Sequence, residues 1–270
     1  MGGSLGEKIG EGASADVHAW APGQVVKLFK PGVRRRVGVH EARMTRAAFA
    51  AGAPAPEVLG EVTLEGRFGI LLSRLDGPTL RQLSRTGAMT SEQVGSILAT
   101  LARSVHKTPA PAEVLSLRDY MEVSMRLSGG RLPEPIATGA LSLIERLSPG
   151  DGLCHGDLHT GNVIMTTAGP RLIDWTGTVR APAAFEIAVC HILFSEIAPE
   201  LVDDPQRPRA VDAAVQAQYA RMADTSPAAL TAAMEPYLPI VRVLVLLGGA
   251  APAQRERLIE RVEATLRSEG

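Results

Sequence analysis

At Asp76-Gly77-Pro78 the hydrophobic pattern of the chain changes period, and this change limits the accessible folds more than any other feature. Before it, apolar residues follow the spacing of strands. Ala15 to Trp20 alternates, Ala21-Pro22-Gly23 makes a turn, and Gln24 to Phe29 is a second β-rich run, which together predict a hairpin. Val58 to Leu64 and Arg67 to Ser73, joined by Glu65-Gly66, predict another. Between the hairpins, residues 38–51 hold good helix formers and end at Gly52, with Pro54 and Pro56 barring continuation. Beyond Pro78 the period is helical. Thr90 with Gln93 is a capping-box signal, and Val94, Ile97, Leu98, Leu101 and Val105 then share one helical face. Leu141, Ile144 and Leu147 predict a further helix stopped by Pro149-Gly150. Residues 153–174 interrupt with a loop and two short apolar runs, Val163-Ile164-Met165 and Leu172-Ile173, and helices resume at Ala183. The reading is an α+β chain of two lobes: residues 1–74 β-rich, 75–78 a hinge, 79–270 larger and mostly helical. A cleft between lobes is a common home for a small ligand.

Several function classes are disfavoured by composition. A net charge of −1 supplies no global field for nucleic acid or an anionic membrane. The local run Lys27, Lys30, Arg34, Arg35, Arg36 reads as a solvated connector. Two cysteines, Cys154 and Cys190, make no disulfide framework and no C-x-x-C spacing. The segment "MGGSLGEKIG" lacks the apolar core of a secretion signal and the Ser or Thr of a myristoylation motif. The longest apolar run, Leu238 to Ala251, is broken by Pro239, Arg242 and Gly248-Gly249 and reads as too short for a bilayer. The expectation is a cytoplasmic chain with no nucleic-acid, membrane or obligatory protein partner.

Three constellations carry chemistry. Gly10 and Gly12, in "GEGASADV" between two predicted strands, let the backbone approach phosphates. Strand–turn–strand is the wrong setting for a dinucleotide fingerprint, which needs strand–turn–helix. Lys27, in Val25-Val26-Lys27, is placed to grip phosphates if an anion holds its ammonium, and Glu41 on the following helix can supply one; the plain alternatives are a snorkelling lysine and a surface helix charge. In "LCHGDLHTGN", Asp157 and Asn162 are followed by the distant Asp174. Phosphoryl transfer needs a carboxylate to take the acceptor's proton, which suits Asp157, and oxygen ligands for Mg²⁺, which suits Asn162 and Asp174. A transition-metal site built from His155, Asp157 and His159 is the competing reading, but the glycines argue against a regular strand there and further ligands at recognisable spacing are missing.

"HGDLHTGNVI" followed by "RLIDW" resembles the catalytic loop and metal-binding aspartate of the aminoglycoside phosphotransferase/choline kinase family, which has a protein-kinase-like fold. "HEARMTRAAFAAGAPAPEVLG" is similar to that family's lysine-pairing helix and following strand, and "RAPAAFEIA" to the segment after the aspartate, with Glu186 where Asp is more usual. The likeness runs from Ile9 to about Ala188. It implies an Mg²⁺-dependent kinase using ATP or GTP, in which Lys27 contacts the α- and β-phosphates, Glu41 orients it, Asp157 is the base, and Asn162 and Asp174 bind the metal. Backbone groups of Ser73, Arg74 and Leu75 would meet adenine, while His155 and His159 would brace the loop. Trp175 stands where protein kinases carry phenylalanine, as a packing residue.

Only seven residues separate Asp174 from Pro182, too few for a peptide-docking platform, so a small-molecule hydroxyl is the expected acceptor. Aromatic residues make up 4% of the chain, which disfavours a cage for choline. Glu196, Glu200, Asp203 and Asp204 could line a pocket for a polycationic aminoglycoside, or simply form a solvated helix end. Antibiotics, sugars and amino alcohols stay open as acceptors, beside two other readings: a non-catalytic nucleotide-binding scaffold and a bacterial protein kinase.

Overall fold

Strands dominate the first lobe because short apolar and β-branched runs are closed by turns that hold glycine or proline. In the computed structural model, which describes residues 5–269, Lys8–Glu11 (β1), Ala15–Ala21 (β2), Gln24–Phe29 (β3), Val58–Leu64 (β4) and Arg67–Ser73 (β5) form one antiparallel sheet. Its order is β1-β2-β3-β5-β4. Both predicted hairpins are present, one turning at Gly23 (φ 72°) and the other at Glu65-Gly66. Residues 1–4, on which part of the leader reading rests, lie outside the described residues.

A single helix, Arg35–Ala50 (α1), packs on this sheet and starts three residues before the predicted Gly38. Arg34, Arg35 and Arg36 are exposed, as a solvated connector requires, whereas Lys27 is not. Gly38 is needed here, since a Cβ would enter the rings of Phe68 and Phe29. Ala42 joins the small apolar cluster of Ala15, Phe29, Phe68 and Ile70, while Met44 and Ala48 belong to the large core of the second lobe. One helix thus contributes to two cores.

The second lobe contains Leu80–Arg85 (α2), Ser91–His106 (α3), Leu117–Ser128 (α4), Glu134–Glu145 (α5), Gly152–Cys154 (β6), Val163–Thr166 (β7), Gly169–Leu172 (β8), Val179–Ala181 (β9), Ala183–His191 (α6), Gln206–Met222 (α7), Pro227–Met234 (α8), Leu238–Gly248 (α9) and Pro252–Glu269 (α10). The capping box at α3 is formed: Gln93 N–H donates to Thr90 Oγ1 at 3.2 Å and Thr90 N–H to Gln93 Oε1 at 2.9 Å. Helix α5 ends before Leu147, and its buried face is Ile136, Ala140, Leu143 and Ile144 rather than the predicted Leu141/Ile144/Leu147 stripe. The chain from Asp76 to Thr79 is tied to β7, through Met165 N–H to Pro78 O at 2.9 Å and a bridge between Thr79 and Ile164.

The apolar stretch near the C-terminus is longer than the sequence reading allowed. Helical structure is continuous over Pro227–Gly248, long and apolar enough by length and composition to cross a bilayer. Leu230, Met234, Tyr237, Ile240, Val243 and Leu246 from it are nonetheless buried in the lobe's core, as in a core helix of a globular protein.

Candidate active site in the interlobe cleft

Sheet pairing presents Lys27 from the middle of β3, between the buried Val26 and Leu28. Its Nζ lies 2.5 Å from Glu41 Oε1 on α1 and 3.5 Å from Asp174 Oδ2 in the other lobe. Glu41 is 3% exposed, which removes the alternative of a surface helix charge. Burial pulls the Lys27 ammonium down, but Glu41 and Asp174 outweigh it and raise its pKa, so the lysine is charged. Burial and the Asp174 charge push the Glu41 carboxyl up, with Lys27 opposing. These two directions favour opposite charge states for the pair; the contact at 2.5 Å decides for an ion pair, in which Glu41 owes its charge to the lysine.

Asp174 has left-handed backbone geometry (φ 64°, ψ 67°), which aspartate tolerates better than most residues. Two contacts hold it there. Thr176 Oγ1 donates to its Oδ1 at 2.7 Å, and the adjoining Trp175 is fully buried, with its indole N–H donating to Leu172 O at 3.0 Å. Burial works against its carboxylate, yet Lys27 and Thr176 prevail and lower the pKa.

The loop after β6 is organised from beneath. His155 is fully buried, edge-on to Trp175 at 4.8 Å. Its Nδ1 accepts the Asp157 N–H at 3.3 Å, which leaves Nε2–H to donate to Ile173 O at 3.0 Å. Burial keeps the ring neutral, and both nitrogens are occupied, so the transition-metal site read at His155, Asp157 and His159 is not assembled. Below the turn, the buried carboxylate of Glu186 on α6 accepts the backbone N–H groups of His155 and Gly156. Burial pushes that carboxyl up to about 7. Gly156 (φ +79°) lies against the Gly177 carbonyl, where a Cβ has no room.

Asp157 emerges from this turn into the cleft. Asn162 Nδ2 donates to its carbonyl at 2.9 Å and to its Oδ2 at 3.0 Å. His159 caps the short Thr160–Asn162 turn, accepting the Gly161 N–H on Nδ1 at 3.0 Å, with Nε2 at 3.6 Å from Asp157 Oδ2. With its amide nitrogen committed to Asp157, Asn162 has its oxygen left for a cation. Amide and carboxylate oxygens from Asn162 and Asp174 are the hard donors that Mg²⁺ prefers. A different group, His106, Cys154 and Glu186, brings potential ligand atoms within 4.8 Å of one another in the interior, apart from these oxygens. Cys154 and Cys190 are both buried thiols.

Around the remaining predicted residues the geometry is uneven. Gly10 pairs with Val17, and Gly12 N–H donates to Ala15 O at 2.8 Å, closing the exposed tip of the β1–β2 hairpin. The N–H groups of Ser73 and Arg74 are taken by Glu57 O and Gly23 O, each at 2.9 Å, so among the described residues Leu75 N–H is the amide of this trio without a backbone partner. Beside Asp157 a cavity of about 630 Å³ opens between α4, α6 and α9. None of Glu196, Glu200, Asp203 or Asp204 lines it. Glu196 is paired with Arg242 at 2.8 Å and Arg261 at 2.7 Å, Glu200 with Arg257, and Asp204 accepts the Gln206 N–H. Tyr120 and Ser124 of α4 do line it and were missed in the sequence, although Ser116 and Asp119 give the N-cap signal and Gly129 the left-handed stop of that helix.

The model of the phosphotransferase enzyme family matches residues 6–229. No curated protein matches the chain. Among solved structures, aminoglycoside-3'-phosphotransferase of type VIII is 21% identical with a TM-score of 0.56, over 88% of this chain and 94% of that one. Choline kinase from Cryptosporidium parvum Iowa II is 14% identical with a TM-score of 0.60, over 99% and 89%. A ternary complex of streptomycin, ATP and APH(2'')-IIa is 14% identical with a TM-score of 0.56, over 97% and 91%. At such identities the likeness speaks to the fold, which is protein-kinase-like.

Proposed function

The chain belongs to the phosphotransferase enzyme family, and from that premise we propose that it is a Mg²⁺-dependent small-molecule kinase moving the γ-phosphate of ATP or GTP to an acceptor hydroxyl. One observation carries the reading: Lys27, Glu41 and Asp174 meet across the cleft within 3.5 Å, with Asp157 and Asn162 hydrogen-bonded beside them. Residues 1–74 serve as the nucleotide lobe, 75–78 as the hinge and 79–270 as the acceptor lobe. Lys27, held charged by Glu41, grips the α- and β-phosphates, the Gly10–Gly12 hairpin covers them, and Leu75 N–H offers adenine a donor. Asn162 and Asp174 would hold Mg²⁺, whose chemistry there would be to offset the negative charge of the phosphates. Asp157 accepts the proton of the acceptor hydroxyl, aimed by the Asn162 bond and by the loop that His155, His159 and Glu186 support. The short segment between Asp174 and Pro182 supports a small molecule over a peptide as acceptor, and use of nucleoside triphosphates sets the reaction in the cytoplasm. Asp157→Ala should lower transfer about 10²–10⁴-fold while ADP binding is retained. Undiminished turnover would remove Asp157 from the chemistry and this function with it.

A further inference from the structure

Resting on the kinase reading of Asp157, we propose that the acceptor is an uncharged amphipathic hydroxyl compound, with one polar and one aliphatic side, rather than a polycation. The cavity beside Asp157 has two unlike walls. Helix α4 contributes Tyr120, Ser124 and Ser128 at i, i+4 and i+8 along one helical face, the Ser128 hydroxyl donating to Met125 O at 2.7 Å and Tyr120 bonded to Ser124, with Leu127 beside them. Across from them, Val241, Leu244 and Val245 of α9 form an aliphatic face, continued by Leu193 and Ile197 from the π turn after α6. Leu244 and Val245 are residues of the apolar Pro227–Gly248 run that the core leaves only half-buried. Apolar surface of this kind is covered favourably by an aliphatic ligand body.

Charge points the same way. Apart from Asp157, the charged residue lining the cavity is Arg131, and among the described residues no carboxylate stands within ion-pairing distance of it. The acids of the lobe that could have met ammonium groups, Glu196 and Glu200, are neutralised by Arg242, Arg261 and Arg257. A ligand with several ammonium groups would lose its hydration against aliphatic side chains and an unopposed guanidinium, with one carboxylate in return. A ligand with hydroxyls on one side and carbon on the other matches both walls.

The test uses the intact chain and two probes, hexyl β-D-glucoside below its micellar range and kanamycin, with binding read by saturation-transfer NMR and competition. ADP binding is followed in parallel. The glucoside should bind and outcompete kanamycin. Leu244→Asp should weaken the glucoside about tenfold. Exposed Arg131→Glu, which does not touch the core, should strengthen kanamycin instead. Kanamycin displacing the glucoside, or neither probe binding while ADP does, would overturn the proposal and leave the kinase reading standing. Glucoside binding without any ADP binding would overturn the kinase reading and with it the ligand's role as phosphate acceptor.

Discussion

Glu186→Gln isolates the ionisation of a carboxyl buried under the catalytic turn. Glu186 has no solvent exposure, and two backbone N–H groups, from His155 and Gly156, point at its oxygens. Those bonds favour the carboxylate, but burial is the larger influence, and the carboxyl titrates at about 7 against an ordinary value of 4.5. Between these two values the unfolded chain has already released a proton that the folded chain still holds. Unfolding then releases a proton, and each rise in pH favours it. The gap, at about 1.4 kcal/mol per pH unit, amounts to about 3 kcal/mol. The contribution is absent below pH 4.5, grows as pH rises, and is complete above about 7. Glutamine has no proton to lose and keeps an oxygen for the loop. Urea unfolding of both proteins from pH 4 to pH 8 should therefore show the wild type losing about 3 kcal/mol relative to the variant. A constant difference across that range would mean that the two N–H bonds offset burial fully, and the account of this site would be refuted.

Other perturbations reach different parts of the cleft. Lys27→Met leaves Glu41 buried without its partner and should cost about 3–5 kcal/mol by urea unfolding. Because burial already raises the Glu41 pKa, that loss should be smaller at pH 5, where the carboxyl can take a proton, than at pH 8. Gly156→Ala forces a Cβ against the Gly177 carbonyl at a left-handed residue; transfer should fall at least about tenfold with the far-UV circular dichroism unchanged. Excess EDTA should abolish transfer and MgCl₂ restore it, and turnover surviving chelation would take Asn162 and Asp174 out of the cation role.

Much of the frame was legible because it depends on local chemistry. Strands β2 to β5 follow one alternating stretch and three short β-rich or apolar runs closed by glycine and proline turns, and α3 announces itself through Thr90 and Gln93. Helix α4 has equally local signals in Ser116, Asp119 and Gly129, and Leu117, Tyr120, Met121 and Met125 recur at helical spacing, although only Leu117 and Met121 of them are buried. Burial of charge was illegible. Glu41 reads either as the anion for Lys27 or as a surface helix charge, and Glu196 either as a pocket acid or as part of a solvated helix end; nothing in their neighbours decides that one is enclosed with Lys27 while the other is taken up by two arginines 46 and 65 positions away. Sequence spacing tells which chemistry is available; which carboxylates are already spoken for depends on contacts between distant elements.

The double allegiance of α1 bears on how the molecule comes apart. Ala15, Phe29, Ala42, Phe68 and Ile70 make up the buried apolar cluster of the first lobe, and one of those five is lent by the helix. So small a nucleus cannot hold a sheet by itself in water. Met44 and Ala48 fasten the same helix to the larger core, so partial unfolding should shed the strands while α1 stays behind. Amide hydrogens of α1 would then exchange with solvent at the slow pace of the second lobe, and those of β1 to β5 sooner, as a separate cooperative unit.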